Sequence, residues 1–172
     1  MLDIVDQLEK LDLKEILGYA IESEKAAQSF YLNMAKTAPG LAATRLENLA
    51  REEEKHEEIA REVYTKKFGN EKYTIPKGLP PLESSVNVDT VTSLIHALET
   101  AMKNENNAYR VYLYLANKVS EHKDLFKYLA SMEKGHYDIV KSERDNYESR
   151  IIETPSMRDM TPSEFWLEGF RV

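Results

Sequence analysis

Two short stretches carry residue types that bind metal ions, Glu53-Glu54-Lys55-His56 and, eighty residues later, Glu133-Lys134-Gly135-His136. Around the first, Leu46, Leu49, Ala50, Ala60 and Val63 recur at the three- and four-residue steps of a helix face turned to a core. Glu53 and His56 fall on that face, where Leu or Ile would be ordinary. The second pair lies in the same way among Leu125, Leu129, Met132, Ile139 and Val140. A buried carboxylate without a partner costs several kcal/mol, so such a face needs something to neutralise it. A bound cation would do so.

Two more acids interrupt apolar stripes. Glu24 follows Ala20 by one turn, on a face of Ile16, Leu17, Ile21, Ala27, Tyr31, Met34 and Ala35. Glu105 sits on the stripe Leu94, Leu98, Ala101, Met102, Ala108, Tyr112, Leu115 and Val119. A Tyr follows each acid by two turns, Tyr31 and Tyr112, and so shares its face. Glu24 precedes Glu53 by 29 residues and Glu105 precedes Glu133 by 28. The chain therefore reads as two copies of a helical hairpin, each bringing one Glu and one Glu-x-x-His.

Glu and His three apart point the same way on a helix. Packed antiparallel, the two hairpins would gather Glu24, Glu53, His56, Glu105, Glu133 and His136. Four carboxylates and two imidazoles suit two first-row ions, iron or manganese ahead of zinc, and four negative charges offset two divalent cations. Helical bundles that hold carboxylate-bridged metal pairs use this ligand set. The rest of the run from Glu52 to Glu58 reads as a solvated face. His96 and His122 have no Glu three residues before them and read as ordinary, and Tyr109, Tyr114 and Tyr128 read as packing.

The elements that must position these residues are helices, so the expected fold class is all-α. Residues 1–12 form a lead-in with Leu2, Val5, Leu8 and Leu11 able to pack. Asp12 and Glu15 make a capping box opening a helix to about Thr37. After Pro39-Gly40 a second helix runs from about Leu41 to Phe68, ended by Gly69-Asn70. Residues 70–88 lose the pattern and read as a crossover long enough to traverse a bundle. A third helix opens at Asp89 or Thr90 and ends near Val119, and a fourth spans about Glu121 to Tyr147. The bundle thus occupies residues 1–149 and a tail residues 150–172, in which Thr161-Pro162-Ser163-Glu164 caps a short helix. Phe165, Trp166, Leu167 and Phe170 are expected to dock on the bundle or on a neighbouring subunit.

Composition narrows the function classes. A chain of 172 residues with net charge −7 has one domain's worth of core and a poor surface for nucleic acid. No apolar run is long enough for a membrane span, and MLDIVDQLEK lacks a signal-peptide core. With no Cys there is no disulfide or thiolate ligand, which fits a reducing cytoplasm.

The residues Ala-Ile-Glu-Ser-Glu-Lys-Ala-Ala-Gln-Ser-Phe-Tyr at positions 20–31, with Glu53-x-x-His56, Glu105, Tyr112 and Glu133-x-x-His136, resemble the rubrerythrin family of the ferritin-like superfamily. The resemblance covers about residues 13–147. It implies a ferritin-like four-helix bundle holding two iron ions, manganese or a mixed pair being the alternative, and no haem. Glu53 and Glu133 would bridge the metals, Glu24 and Glu105 would be terminal ligands, and His56 and His136 would bind one ion each. Tyr31 and Tyr112 would hydrogen-bond ligand carboxylates. The implied activity is reduction of hydrogen peroxide or oxygen, with an external electron-donor protein such as a rubredoxin, since this chain lacks the Cys-ligated domain of typical members.

Three positions depart from the family pattern. Ala108 stands where many members carry a further Glu one turn after the lone Glu of the third helix. An Asp that often precedes each bridging Glu to orient a His is replaced by Glu52 and Met132. Ferritin-like iron storage is the alternative reading, although Glu54 stands where a haem-binding bacterioferritin would have Met. A non-catalytic, metal-stabilised interaction module is the third. The apolar tail and long crossover suggest a homodimer, with one hairpin exchanged between chains.

Overall fold

A computed structural model describes residues 4–70 and 72–168; Leu2 of the lead-in and Phe170 of the tail lie outside them. Six α-helices and no strand occur among the described residues. Helix α1 covers Ile4–Leu8 and α2 covers Leu13–Ala35. Asp12 caps α2, its Oδ1 accepting from Glu15 N at 2.8 Å while Asp12 N donates to Glu15 Oε2 at 3.1 Å. Helix α3, Gly40–Phe68, ends at Gly69, whose φ of 71° is the left-handed conformation that stops a helix. Helix α4, Val91–Lys118, starts after Thr90, which accepts from Ser93 N.

A 3-10 turn at Ser120–His122 leads into α5, Lys123–Glu153. This helix outruns its expected end near Tyr147 because Tyr147 and Ile151 are buried and prolong its apolar face. Pro155 then begins a second 3-10 turn, and α6 occupies Pro162–Glu168 behind the reciprocal Thr161 and Glu164 bonds.

Helices α2 and α3 pack as one hairpin, α4 and α5 as the other. Between hairpins the partners step in opposite senses. Tyr31 meets Glu105 while Tyr112 meets Glu24, so α2 and α4 are antiparallel. Arg45 meets Glu143 and Lys67 meets Glu121, so α3 and α5 are antiparallel too. The crossover makes this possible by running along α2. Tyr19 donates to the Pro80 carbonyl at 3.3 Å, and Val86 N donates to Asn33 Oδ1 at 3.0 Å. Near the start of that path the Thr74 carbonyl lies so close to Gly18 that a Cβ there would come within 2.7 Å.

The apolar interior forms two clusters. One contains Phe30, Met34, Leu46, Leu49, Leu94, Leu98 and Val140. The other contains Leu17, Ile21, Val63, Tyr64, Leu115, Phe126 and Leu129. On each of the four long helices the acids and imidazoles fall between the two clusters. They form a polar layer across the middle of the bundle.

The tail docks on one end. Phe165 is buried beside Tyr147, their ring centroids 5.3 Å apart, with the Arg150 guanidinium 3.9 Å from the Phe165 ring centre. Trp166 lies against Gly40, which has a φ of 51°. Leu167 does not share this docking and is 62% exposed. No helix among the described residues is long and apolar enough to cross a membrane.

Candidate metal centre

Each of the six residues singled out by spacing is buried in the polar layer: Glu24, Glu53, His56, Glu105, Glu133 and His136 are at most 3% exposed. Helix α3 delivers Glu53 and His56, and α5 delivers Glu133 and His136. Ligand atoms of these four all lie within 4.8 Å of one another. His56 Nδ1 is 2.7 Å from Glu133 Oε1 and 3.2 Å from Glu53 Oε2. His136 Nδ1 is 2.8 Å from Glu53 Oε1 and 3.7 Å from Glu105 Oε2. The imidazoles stack, with centroids 5.3 Å apart and planes 17° apart.

Despite these distances, both oxygens of Glu53, both of Glu133 and the Nδ1 of each His lack a directed hydrogen bond. Buried polar atoms are otherwise almost always satisfied. Oxygen and nitrogen donors that converge without bonding to each other present their lone pairs to a shared space, as ligands of cations do. The donor set, carboxylates and imidazoles with no sulfur, suits iron or manganese.

Glu24 and Glu105 are held from the opposite hairpin. Tyr31 on α2 donates its hydroxyl proton to Glu105 on α4, and Tyr112 on α4 donates to Glu24 on α2. Burial lifts both phenols above their ordinary range, and the surrounding carboxylates push the same way, so both hydroxyls keep the protons they donate.

Crowded acids in a dry layer resist ionisation. Burial, then the charges of neighbouring acids, raise Glu24 and Glu133 well above the usual carboxylate range. Burial pushes Glu53 up as well, but His136 and His56 outweigh it and hold the group at about 2. Burial would lower His136, and the Glu105 and Glu53 carboxylates reverse this, lifting it to about 11. Without a cation the layer must therefore retain protons on acids and imidazole. Cations would replace them.

Outside the ligand ring, Glu52 Oε2 lies 2.8 Å from His136 Nε2; by accepting from it, Glu52 would leave Nδ1 of the neutral, cation-bound ring facing the centre. The imidazole of one hairpin is thus oriented by an acid of the other. Met132 offers the corresponding His56 no such acceptor, and Ala108 is a small buried residue with no ligand capacity. His96 and His122 lie outside the cluster.

The sequence reading passed over Glu143. It is buried and ion-paired with Arg45, two turns beyond His136 on the inward face of α5. The stripe Glu133, His136, Val140, Glu143 and Tyr147 was its signal. Beside the centre, a cleft of about 270 Å³ between α4 and α5 reaches Glu105 and Glu133 from outside.

A family model described as Rubrerythrin matches residues 15–143. A comparison with curated proteins finds no match. Among solved structures, a hypothetical protein from Pyrococcus furiosus superposes with a TM-score of 0.80 at 32% identity, over 87% of this chain and 98% of its own.

Proposed function

The chain belongs to the rubrerythrin family, and from that premise we propose that it is a non-haem di-iron oxidoreductase reducing hydrogen peroxide, or oxygen, with electrons from a separate donor protein. The observation that carries this reading is the convergence of unbonded carboxylate oxygens and imidazole Nδ1 atoms in a buried layer. When bound, two ferrous ions would supply the two electrons that peroxide reduction consumes.

The chain's own residues have separable tasks. Glu53 and Glu133 lie centrally, each close to an imidazole of the other hairpin, and would bridge the metals. Glu24 and Glu105 would be terminal ligands, one on each side, with His56 and His136 completing one ion each. Tyr31 and Tyr112 orient the terminal acids and hold protons beside them. The two apolar clusters exclude water above and below, which keeps the acids from swinging out to solvent. With Ala108 one turn after Glu105, α4 would offer the metals a single carboxylate, Glu105. A rubredoxin-like protein is the kind of donor proposed, acting on a cytoplasmic homodimer.

The test is to load the protein with iron, reduce it chemically and mix it with hydrogen peroxide. The expected result is two irons per chain and oxidation much faster than that of free ferrous ion. Oxidation no faster than in free solution would refute the reading.

A further inference from the structure

The cleft beside the centre is larger than hydrogen peroxide requires. Its walls are Asn106, Tyr109, Lys134 and Tyr137, with Glu105 and Glu133 at the inner end, and its volume is about 270 Å³. A water-sized molecule takes roughly 30 Å³ of liquid volume, and peroxide is only about twice that. Asn106 and Tyr137 also border a second cleft of about 570 Å³ that reaches Met102, Lys103, Arg144 and one acid, Glu99.

The internal repeat shows what this lining replaces. At the register of Tyr109 the first half of the chain has Gln28, at Lys134 it has Glu54, and at Tyr137 it has Glu57. Two phenol rings and a cation thus stand where the other half carries an amide and two acids. Glu57 is used structurally, paired with Arg61 at 2.5 Å. Tyr109 and Tyr137 are only half-buried, and neither hydroxyl makes a hydrogen bond among the described residues. Lys134 lies 4.6 Å from the Tyr137 ring centre and is paired with Asp138. Further out, Lys103 is exposed and has no ion pair among the described residues, whereas the Arg144 guanidinium is already paired with Asp145 and Glu148. Arg144 stands three turns along α5 from Glu133, roughly 16 Å at the rise of a helix.

We propose that this double cleft admits an organic hydroperoxide bearing a carboxylate. The peroxy end reaches the layer at Glu105 and Glu133, the hydrocarbon lies against Tyr109 and Tyr137, and the carboxylate meets Lys103. The proposal names the substrate class of the peroxidase reading above and rests on it. Reduction breaks the O–O bond with uptake of two protons and two electrons, which the external donor of the reading above would supply. The products are the alcohol and water.

The test separates binding from turnover. The full chain is loaded with zinc, which has no redox chemistry, and titrated by calorimetry with a medium-chain hydroxy fatty acid and with its methyl ester. The acid is expected to bind at least tenfold more tightly than the ester. Lys103→Glu should abolish that difference, Lys103→Arg should restore it, and Tyr137→Ala should weaken both ligands. In the iron-loaded protein, the fatty-acid hydroperoxide should show a KM at least tenfold below that of tert-butyl hydroperoxide. Acid and ester binding equally, or neither binding, would overturn the proposal even if hydrogen peroxide is turned over. Inertness toward all three peroxides would instead strike the di-iron reading, and the zinc titration would still decide the cleft.

Discussion

Replacing Glu52 with Ala separates the two metal positions. Glu52 Oε2 lies 2.8 Å from His136 Nε2 and, by accepting from it, would set which nitrogen of the cation-bound ring faces the centre, whereas the residue before Glu133 is Met132, which offers His56 nothing. The ion bound through His136 should therefore be held more tightly than the ion bound through His56. Removing such an outer hydrogen bond typically costs about 10- to 100-fold in metal affinity, or about 1.4–2.7 kcal/mol. The Glu52 side chain is 40% exposed, so solvent screening puts the expected loss toward the lower end, about tenfold. The exposure also means that the substitution leaves the two apolar clusters intact. The assay is stepwise loading with ferrous or manganous ion against a competing chelator. The wild type should show two unequal steps. Glu52→Ala should weaken the tighter one and bring the steps together, while Met132→Glu should strengthen the weaker one. Two equal steps in the wild type, or an unchanged tighter step in Glu52→Ala, would refute the reasoning.

Three further outcomes follow from the same bundle. Tyr31→Phe and Tyr112→Phe each remove the donor to a buried acid and should cost about 1.5–3 kcal/mol of metal-loaded stability, by nearly equal amounts because the contacts are reciprocal; thermal unfolding checks this. Gly18→Ala and Gly135→Ala both gain helix propensity of about 1 kcal/mol. Only the first drives a Cβ to 2.7 Å from the Thr74 carbonyl, so urea midpoints should show Gly135→Ala stabilised and Gly18→Ala lower by about 1–3 kcal/mol of overpacking. For metal-free protein the pH dependence has a definite sign. Glu24 and Glu133 have raised folded values, so their contribution is full below the ordinary carboxylate value and is lost as pH rises; His136, lifted to about 11, adds a loss above its ordinary imidazole range. Chelated protein should therefore melt lower at pH 8 than at pH 5, and metal-loaded protein should show the opposite order because its ligands bind metal only when deprotonated.

The helices and the six polar interruptions were legible because each local signal agreed with the fold. Asp12 and Thr90 cap where their side chains can reach a free amide, and Glu24, Glu53, Glu105 and Glu133 break stripes that are otherwise apolar. What the sequence hid depends on contacts between distant segments. Gly18 reads as an ordinary helical glycine until the crossover is seen lying against it. The end of α5 was set too early because Glu148, Ser149 and Arg150 look like a solvated terminus, although Tyr147 and Ile151 continue the buried face. Tyr109 was read as packing. Its place on a cleft wall depends on how α4 faces α5, which periodicity alone does not fix.

The crosswise partnering has an evolutionary consequence. Each half lends a phenol to the other's acid and an imidazole to the other's carboxylate, so two identical half-length chains could once have assembled the same centre as a symmetric pair. A fusion of the two would release each copy from having to match its twin. Tyr109, Lys134 and Tyr137 opposite Gln28, Glu54 and Glu57 mark where the two halves now differ, while the four acids, two imidazoles and two phenols of the centre are matched pairs.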